Sequence, residues 1–196
     1  GKKVGILDLT RGELGTRGTA EIRAAESEAA SKLMGLSARE NVELPDGFLT
    51  NSKEFQMAIV PFIRKYQPEI VLTNAIDDRH PDHGKGSKLV SDACFLSGLR
   101  AIPTTDKGGN AQTAWRPKWV YHFIQDRYIQ PDFIVDVTDV WDEKMEAIRA
   151  YGSQFFSAAS EGEPPTPISS PEFMQFLDSR GREFGRTIGA TYGEGF

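Results

Sequence analysis

The order of elements along the chain predicts an α/β fold, a Rossmann-like and mostly parallel sheet with helices on both faces. Three observations carry that expectation. Short apolar runs such as Lys3 to Leu9 (KVGILDL) and Ile70 to Thr73 (IVLT) read as buried strands. Longer stretches between them repeat their apolar residues at helical spacing. Strands and helices alternate to the end of the chain, the pattern of a parallel sheet covered on both sides. With no internal repeat and no linker long enough to separate two bodies, residues 1–196 read as one domain.

The first strand, Lys3 to Leu9, leads into Thr10 to Thr19 (TRGELGTRGT), a loop with three glycines and no periodicity. A helix is predicted from about Thr19 to Met34, with Ile22, Ala25, Ala29 and Leu33 on one face and Gly35 as its stop. Val42 to Leu44 reads as a short strand closed by the turn Pro45-Asp46-Gly47. Asn51 can cap the next helix, with Glu54 returning the bond and Phe55, Ile59, Phe62 and Tyr66 on its buried face. Pro61 predicts a kink or break near residues 57–60 of that helix. After the strand Ile70 to Thr73, a third helix is expected from about Asp82 to Ser97. Strands at Trp119 to Ile124 and Phe133 to Val137 follow, then a helix from Asp139 to Tyr151. Ser157 to Ser169, rich in Ser, Gly and Pro, reads as a surface loop, and Ser170 with Pro171 starts a final helix.

Composition limits the functional classes. A net charge of -5 argues against a general nucleic-acid binder, which usually carries a basic surface. No apolar run approaches the ~18 residues that suggest a membrane span. The single cysteine, Cys94, has no internal partner, which fits a reducing compartment and a cytoplasmic location. It lies among apolar helix residues and reads as a small buried hydrophobe. Arg11, Arg17 and Arg23 fall in one short stretch, and Arg79 stands beside two histidines. Local arginines on an acidic protein suit a small anionic ligand better than a polyanion.

In α/β sheets ligands sit at the carboxyl ends of strands, which singles out the loops after Leu9 and Asn74. The second holds Asp77-Asp78-Arg79-His80-Pro81-Asp82-His83, two histidines, three carboxylates and an arginine in seven positions. If the turn after Pro81 is helical, His80 and His83 share a face. Imidazole is a good zinc ligand and carboxylates can orient it, although zinc catalysis normally takes three protein ligands. Two readings stay open from the residues alone: a metal-binding pair, or exposed loop histidines with Asp82 as a helix cap. His122, in an alternating strand, reads as structural.

The string DDRHPDH after an apolar strand resembles the second signature of the PIG-L/LmbE-like zinc-dependent N-deacetylases. LDLTRGELGTRGTAEIRAAE resembles the family's second strand, substrate loop and helix. LPDG, QPDFIVDVTD, AYGSQF and TYGEGF follow in the family's order. Together these segments span nearly the whole chain and most resemble the bacillithiol-biosynthesis branch, whose members deacetylate N-acetylglucosaminyl-malate.

The resemblance implies a set of roles. His83 would bind zinc, and His80 would be a second-sphere residue that stabilises charge or relays a proton. Asp82 would order the turn. Arg23 matches an arginine that contacts sugar hydroxyls, and Glu13 lies in the matching substrate loop. Arg116 matches an arginine near the catalytic carboxylate, and Tyr192 a tyrosine proposed to reach the substrate's oxyanion. The implied chemistry is zinc-assisted hydrolysis of an acetamide on an amino-sugar conjugate, by a homo-oligomer of a kind often hexameric among relatives. Plain alternatives stand beside these roles: Arg23 as a solvated helix residue pairing with Glu21 or Glu26, and Arg116 and Tyr192 in ordinary surface turns.

The family's first signature, Ala-His-Pro-Asp-Asp, supplies the other zinc ligands and the base, and no such string occurs here. The expectation is that a first strand and helix of roughly 30 residues are missing. His83 would then be the sole remaining ligand, and the chain taken literally would neither hold catalytic zinc nor deacetylate. An amidase acting on a thiol conjugate of the same sugar, and a sugar-binding module without catalysis, are the alternatives.

Overall fold

The computed structural model describes residues 2–155 and 162–196. In chain order the elements are β1 (Gly5–Asp8), α1 (Ala20–Leu33), β2 (Ala38–Asn41), α2 (Lys53–Tyr66), β3 (Ile70–Thr73) and α3 (Pro81–Ser97). They continue with β4 (Trp119–His122), β5 (Ile134–Asp136), a 3-10 turn at Thr138–Val140, α4 (Trp141–Arg149), α5 (Pro171–Ile188) and β6 (Gly193–Gly195). The α/β expectation holds. The strands form pairs: β1 with β2 and β3 with β4, both parallel, and β5 with β6, antiparallel. The chain divides into two units, one of Gly1–Asp46 with Asp132–Gly195, the other of Gly47–Pro131 with Phe196.

In the first unit, Thr19 caps α1 by accepting the Ile22 N–H, and Ser170 caps α5 by accepting the Phe173 N–H, as its sequence predicts. Each such cap is worth about 1 kcal/mol. The buried residue of α1 is Ala30, while Ile22 and Leu33 point to solvent. The packed face is instead the polar one, where Arg39 from β2 donates to Ser27 O and pairs with both oxygens of Asp8. Trp141 and Met145 of α4 and Phe184 of α5 are buried. Gly181 leaves room for the Trp141 ring, since a Cβ there would lie 2.4 Å from it. Strand β6 is absent from the sequence reading because Gly-Glu-Gly looks like a turn.

The second unit is built on α2 against α3, with Ile59, Val60 and Ile63 of one and Leu89, Ala93 and Cys94 of the other buried. Helix α2 runs through Pro61 without the predicted break. Its cap is Ser52, accepting from Phe55 N, while the neighbouring Asn51 donates to Asp92 instead. Tyr66 faces solvent, and Arg64 takes the inward place beside Ile63. The Arg64 guanidinium donates to the carbonyls of Ser97, Leu99 and Ile102 and to Thr104 Oγ1. It thus satisfies the acceptors that the end of α3 leaves open. Burial pushes its pKa down.

On the pair β3–β4, Val71, Thr73 and His122 lie towards the interior, and Ile70, Leu72 and Trp119 are exposed. Strand β2 falls at 38–41 rather than at Val42 to Leu44. Of the predicted Ser157 to Ser169 loop, residues 157–161 lie outside the described residues, and 162–169 are irregular turns.

Candidate functional site

In the second unit, β3 ends at Thr73 and the chain passes through a seven-residue loop into α3. Pro81 occupies the first helical position, where its missing N–H costs nothing. His80 is the N-cap, its Nδ1 accepting from Asp82 N at 3.3 Å. An accepting Nδ1 places the His80 proton on Nε2. Asp82 is buried and accepts from Gly47 N at 2.7 Å and Leu49 N at 3.2 Å, so it holds the end of the Pro45-Asp46-Gly47 turn. The expectation that Asp82 orders its own turn or caps α3 is corrected: its side chain reaches a segment 33 to 35 residues away, and His80 is the cap.

His83 lies one turn along, its ring centroid 5.0 Å from that of His80. Its Nδ1 is 2.5 Å from Asp78 Oδ2. The Asp78 side chain is fully buried, and its other oxygen accepts from Asp126 N at 3.0 Å and Arg127 N at 2.9 Å. Burial alone would raise the Asp78 pKa. The bonds from His83 and from the Arg127, Arg79 and Asp126 backbone outweigh it, and the net shift is downward. Against an ionised Asp78, a neutral His83 ring carries its proton on Nδ1, and Nε2 then offers its lone pair. A carboxylate holding the far nitrogen of an imidazole is the arrangement that prepares a histidine for a metal.

The structure brings His80, His83 and Asp78 together and leaves Arg116 elsewhere. Arg116 donates to Phe95 O at 3.0 Å and lies over the Phe95 ring, at the last turn of α3. His83 sits in the first turn, so at 1.5 Å per residue the two ends are roughly 18 Å apart. His122 is structural, as read: Nδ1 meets Asn74 O at 3.0 Å and Ser87 Oγ at 2.9 Å, tying β3, β4 and α3. Cys94 is buried, and burial pushes its thiol up to about 11. Asp78 is the residue that sequence reasoning did not single out. Its signal was only membership of a carboxylate-rich loop.

In the first unit, Glu13 and Arg23 belong to the loop after β1 and the helix that follows it. Glu13 Oε1 accepts from Asp46 N at 2.8 Å, which holds its pKa below the usual carboxylate range. Asp46 answers by accepting from Leu14 N at 3.1 Å. Arg23 donates to Gly12 O at 2.9 Å and presses on the glycines of the loop. A Cβ on Gly12, whose φ is +65°, would lie 2.3 Å from the guanidinium. This contact replaces the predicted alternative of pairing with Glu21 or Glu26; Glu26 instead accepts from Ser153. Tyr192 stacks on Trp141 with centroids 4.2 Å apart, and its hydroxyl donates to Asp178 Oδ1 at 2.8 Å while accepting from Arg182. The Asp178 bond is the chief cause of a raised phenol pKa.

His83 therefore fits a metal, but a whole centre is not assembled. Among the described residues no group of three or more His, Cys, Asp or Glu side chains is placed to hold an ion. No helix among them is long and apolar enough to cross a membrane.

A family model for PIG-L, described as GlcNAc-PI de-N-acetylase, matches residues 1–94. The conserved protein TT1542 of Thermus thermophilus is 32% identical, with a TM-score of 0.83 over 99% of this chain and 80% of that one. The diacetylchitobiose deacetylase of Thermococcus kodakarensis is 26% identical over 154 residues, 77% of this chain and 56% of the relative. The 4-oxalmesaconate hydratase of Pseudomonas putida is 26% identical over 147 residues, 74% of this chain and 55% of the relative. The chain spans about half the length of these curated relatives. The fold is of the α/β class that the Thermus thermophilus structure shares. Within it, the chain belongs to the PIG-L/LmbE-like deacetylase family.

Proposed function

We propose that this protein serves in zinc-dependent hydrolysis of the N-acetyl group of an N-acetylglucosamine conjugate, most closely N-acetylglucosaminyl-malate in bacillithiol biosynthesis, in the cytoplasm. The observation that carries the reading is His83, whose Nδ1 is held by the buried Asp78 while Nε2 stays available as a ligand. The deacetylase activity named for a relative and for the family model supports the reaction class. When bound, zinc supplies an acidified water and a polarised carbonyl.

The chain's own residues do the rest. His80, with its proton on Nε2, donates to negative charge that develops beside His83. Arg23 and Glu13 belong to the segment proposed to hold the sugar. Tyr192 has the expected role at the oxyanion only if its hydroxyl leaves Asp178. Arg116 fits better as a brace for the last turn of α3. Residues 1–196 alone hold no catalytic zinc in this reading, since zinc catalysis normally takes three protein ligands. A homo-oligomer is part of the same proposal.

A second reading, hydration of an unsaturated acid, is favoured by the equal identity to the hydratase. The protein purified from its native source and loaded with zinc should release acetate from N-acetylglucosaminyl-malate, and His83→Ala should abolish that release. Acetate release at the wild-type rate in the His83→Ala protein would overturn the site. Hydration of 4-oxalmesaconate without acetate release would select the second reading. Sugar binding without turnover would select the non-catalytic module, and turnover of a thiol conjugate alone the amidase.

A further inference from the structure

We propose that Asp126 and Arg127 are positioning residues for His83: they clamp the loop after β4 onto the loop after β3, so that two backbone N–H groups aim the Asp78 carboxylate at the His83 ring. The proposal rests on the reading of His83 as the metal-facing histidine.

The contacts between the two loops are reciprocal in charge. Arg79 Nε donates to Asp126 Oδ2 at 3.0 Å, and Arg127 Nη1 donates to both oxygens of Asp77 at 3.1 and 3.2 Å. Between these two ion pairs lies Asp78, its Oδ1 taken by the N–H groups of residues 126 and 127. Just after β3, Asn74 donates to Gln125 Oε1 at 3.1 Å and extends the seam. Asp-Asp-Arg thus faces Gln-Asp-Arg, with acid opposite base at each flank and the buried carboxylate in the middle.

The physical consequence concerns direction rather than strength. A carboxylate can rotate and accept from several sides. With Oδ1 held by two N–H groups, only Oδ2 is left for His83, and its line of approach fixes both the tautomer and the plane of the ring. Exposed ion pairs contribute little to stability individually. Their effect here is to keep two backbone donors within hydrogen-bond distance of one oxygen.

The test uses the metal-free full chain and reads the His83 ring nitrogens by 15N NMR, comparing the two tautomers of the neutral ring. The wild type should carry its proton on Nδ1. Exchanging the two charges, Asp126→Arg with Arg127→Asp, leaves the net charge at -5 and sets like charges against each other at both flanks. The ratio of Nδ1–H to Nε2–H at His83 should then fall about fivefold, the sum of two disturbed surface pairs. Adding Asp77→Arg and Arg79→Asp rebuilds both pairs with reversed signs and should restore the ratio.

A merely structural seam would lower the melting temperature of the exchanged chain and leave the His83 tautomer alone. That outcome overturns the proposal, as does a ratio that falls but does not recover in the fourfold variant. The single substitution Arg127→Gln should give a smaller shift in the same direction and stays readable if the exchanged chain folds poorly. An unchanged ratio there, in a folded chain, counts against the proposal. Because the tautomer is read without metal, a ratio that follows the charges while the protein purified from its native source never binds zinc leaves the positioning role standing and removes the metal reading.

Discussion

Replacing Asp78 by alanine should destabilise the protein by about 3–5 kcal/mol, counting three donors left without an acceptor at roughly 1–3 kcal/mol each and allowing for partial access of water. The three are Asp126 N, Arg127 N and His83 Nδ1, all bonded to a side chain with no exposed surface. Asp78→Asn separates two effects. The amide oxygen can keep the two backbone donors, so the stability loss should shrink to about 1–2 kcal/mol. Its NH2 group, however, now faces His83 Nδ1 and forces the proton onto Nε2, the nitrogen a metal needs. Orienting partners of this kind are typically worth 10- to 100-fold in metal affinity. Urea unfolding followed by circular dichroism measures the first quantity, and zinc competition in the native protein measures the second. The reasoning fails if Asp78→Ala shifts unfolding by less than about 0.5 kcal/mol, or if Asp78→Asn binds zinc as tightly as the wild type.

Cys94 should be inert to a thiol reagent at pH 8 in the folded protein, because the buried thiol titrates near 11; one equivalent should react once urea unfolds the chain, and rapid native labelling would contradict the packing. Asp178 has a pKa below its ordinary value of 3.8, first through Arg182 and then, against the cost of burial, through Tyr192. Its contribution to stability is therefore complete above about pH 4 and disappears as the pH falls through the lower folded value. Asp178→Asn should flatten the acid limb of a stability–pH curve measured between pH 5 and 2, and an unchanged limb would show that the pair does not form in solution.

Much of the fold is legible in the sequence because strand and helix periods are local properties. Buried runs such as IVLT and capping residues such as Ser170 report their surroundings directly. What the sequence leaves open depends on partners far along the chain. Asn51 and Ser52 are both good caps, and only the position of Asp92 decides that Asn51 looks elsewhere. Asp77 and Asp78 are adjacent and chemically identical. Backbone donors 48 and 49 residues later bury one, while the other stays in solvent beside Arg127. The two histidines were visible from their crowding. The position of Arg116 was not, since nothing in Trp-Arg-Pro-Lys tells which end of α3 it meets.

Arg64 gathers pieces of the second unit that lie far apart along the chain. One guanidinium reaches α3, Leu99, Ile102 and Thr104 from a buried position in α2. Any excursion that frees the segment 98–104 must either strip this cation of its carbonyls or draw α2 along with it. The segment lacks regular structure yet cannot fray by itself. Its amides share the exchange clock of the helices it is tied to, so hydrogen–deuterium exchange would see a loop that opens on the schedule of the core.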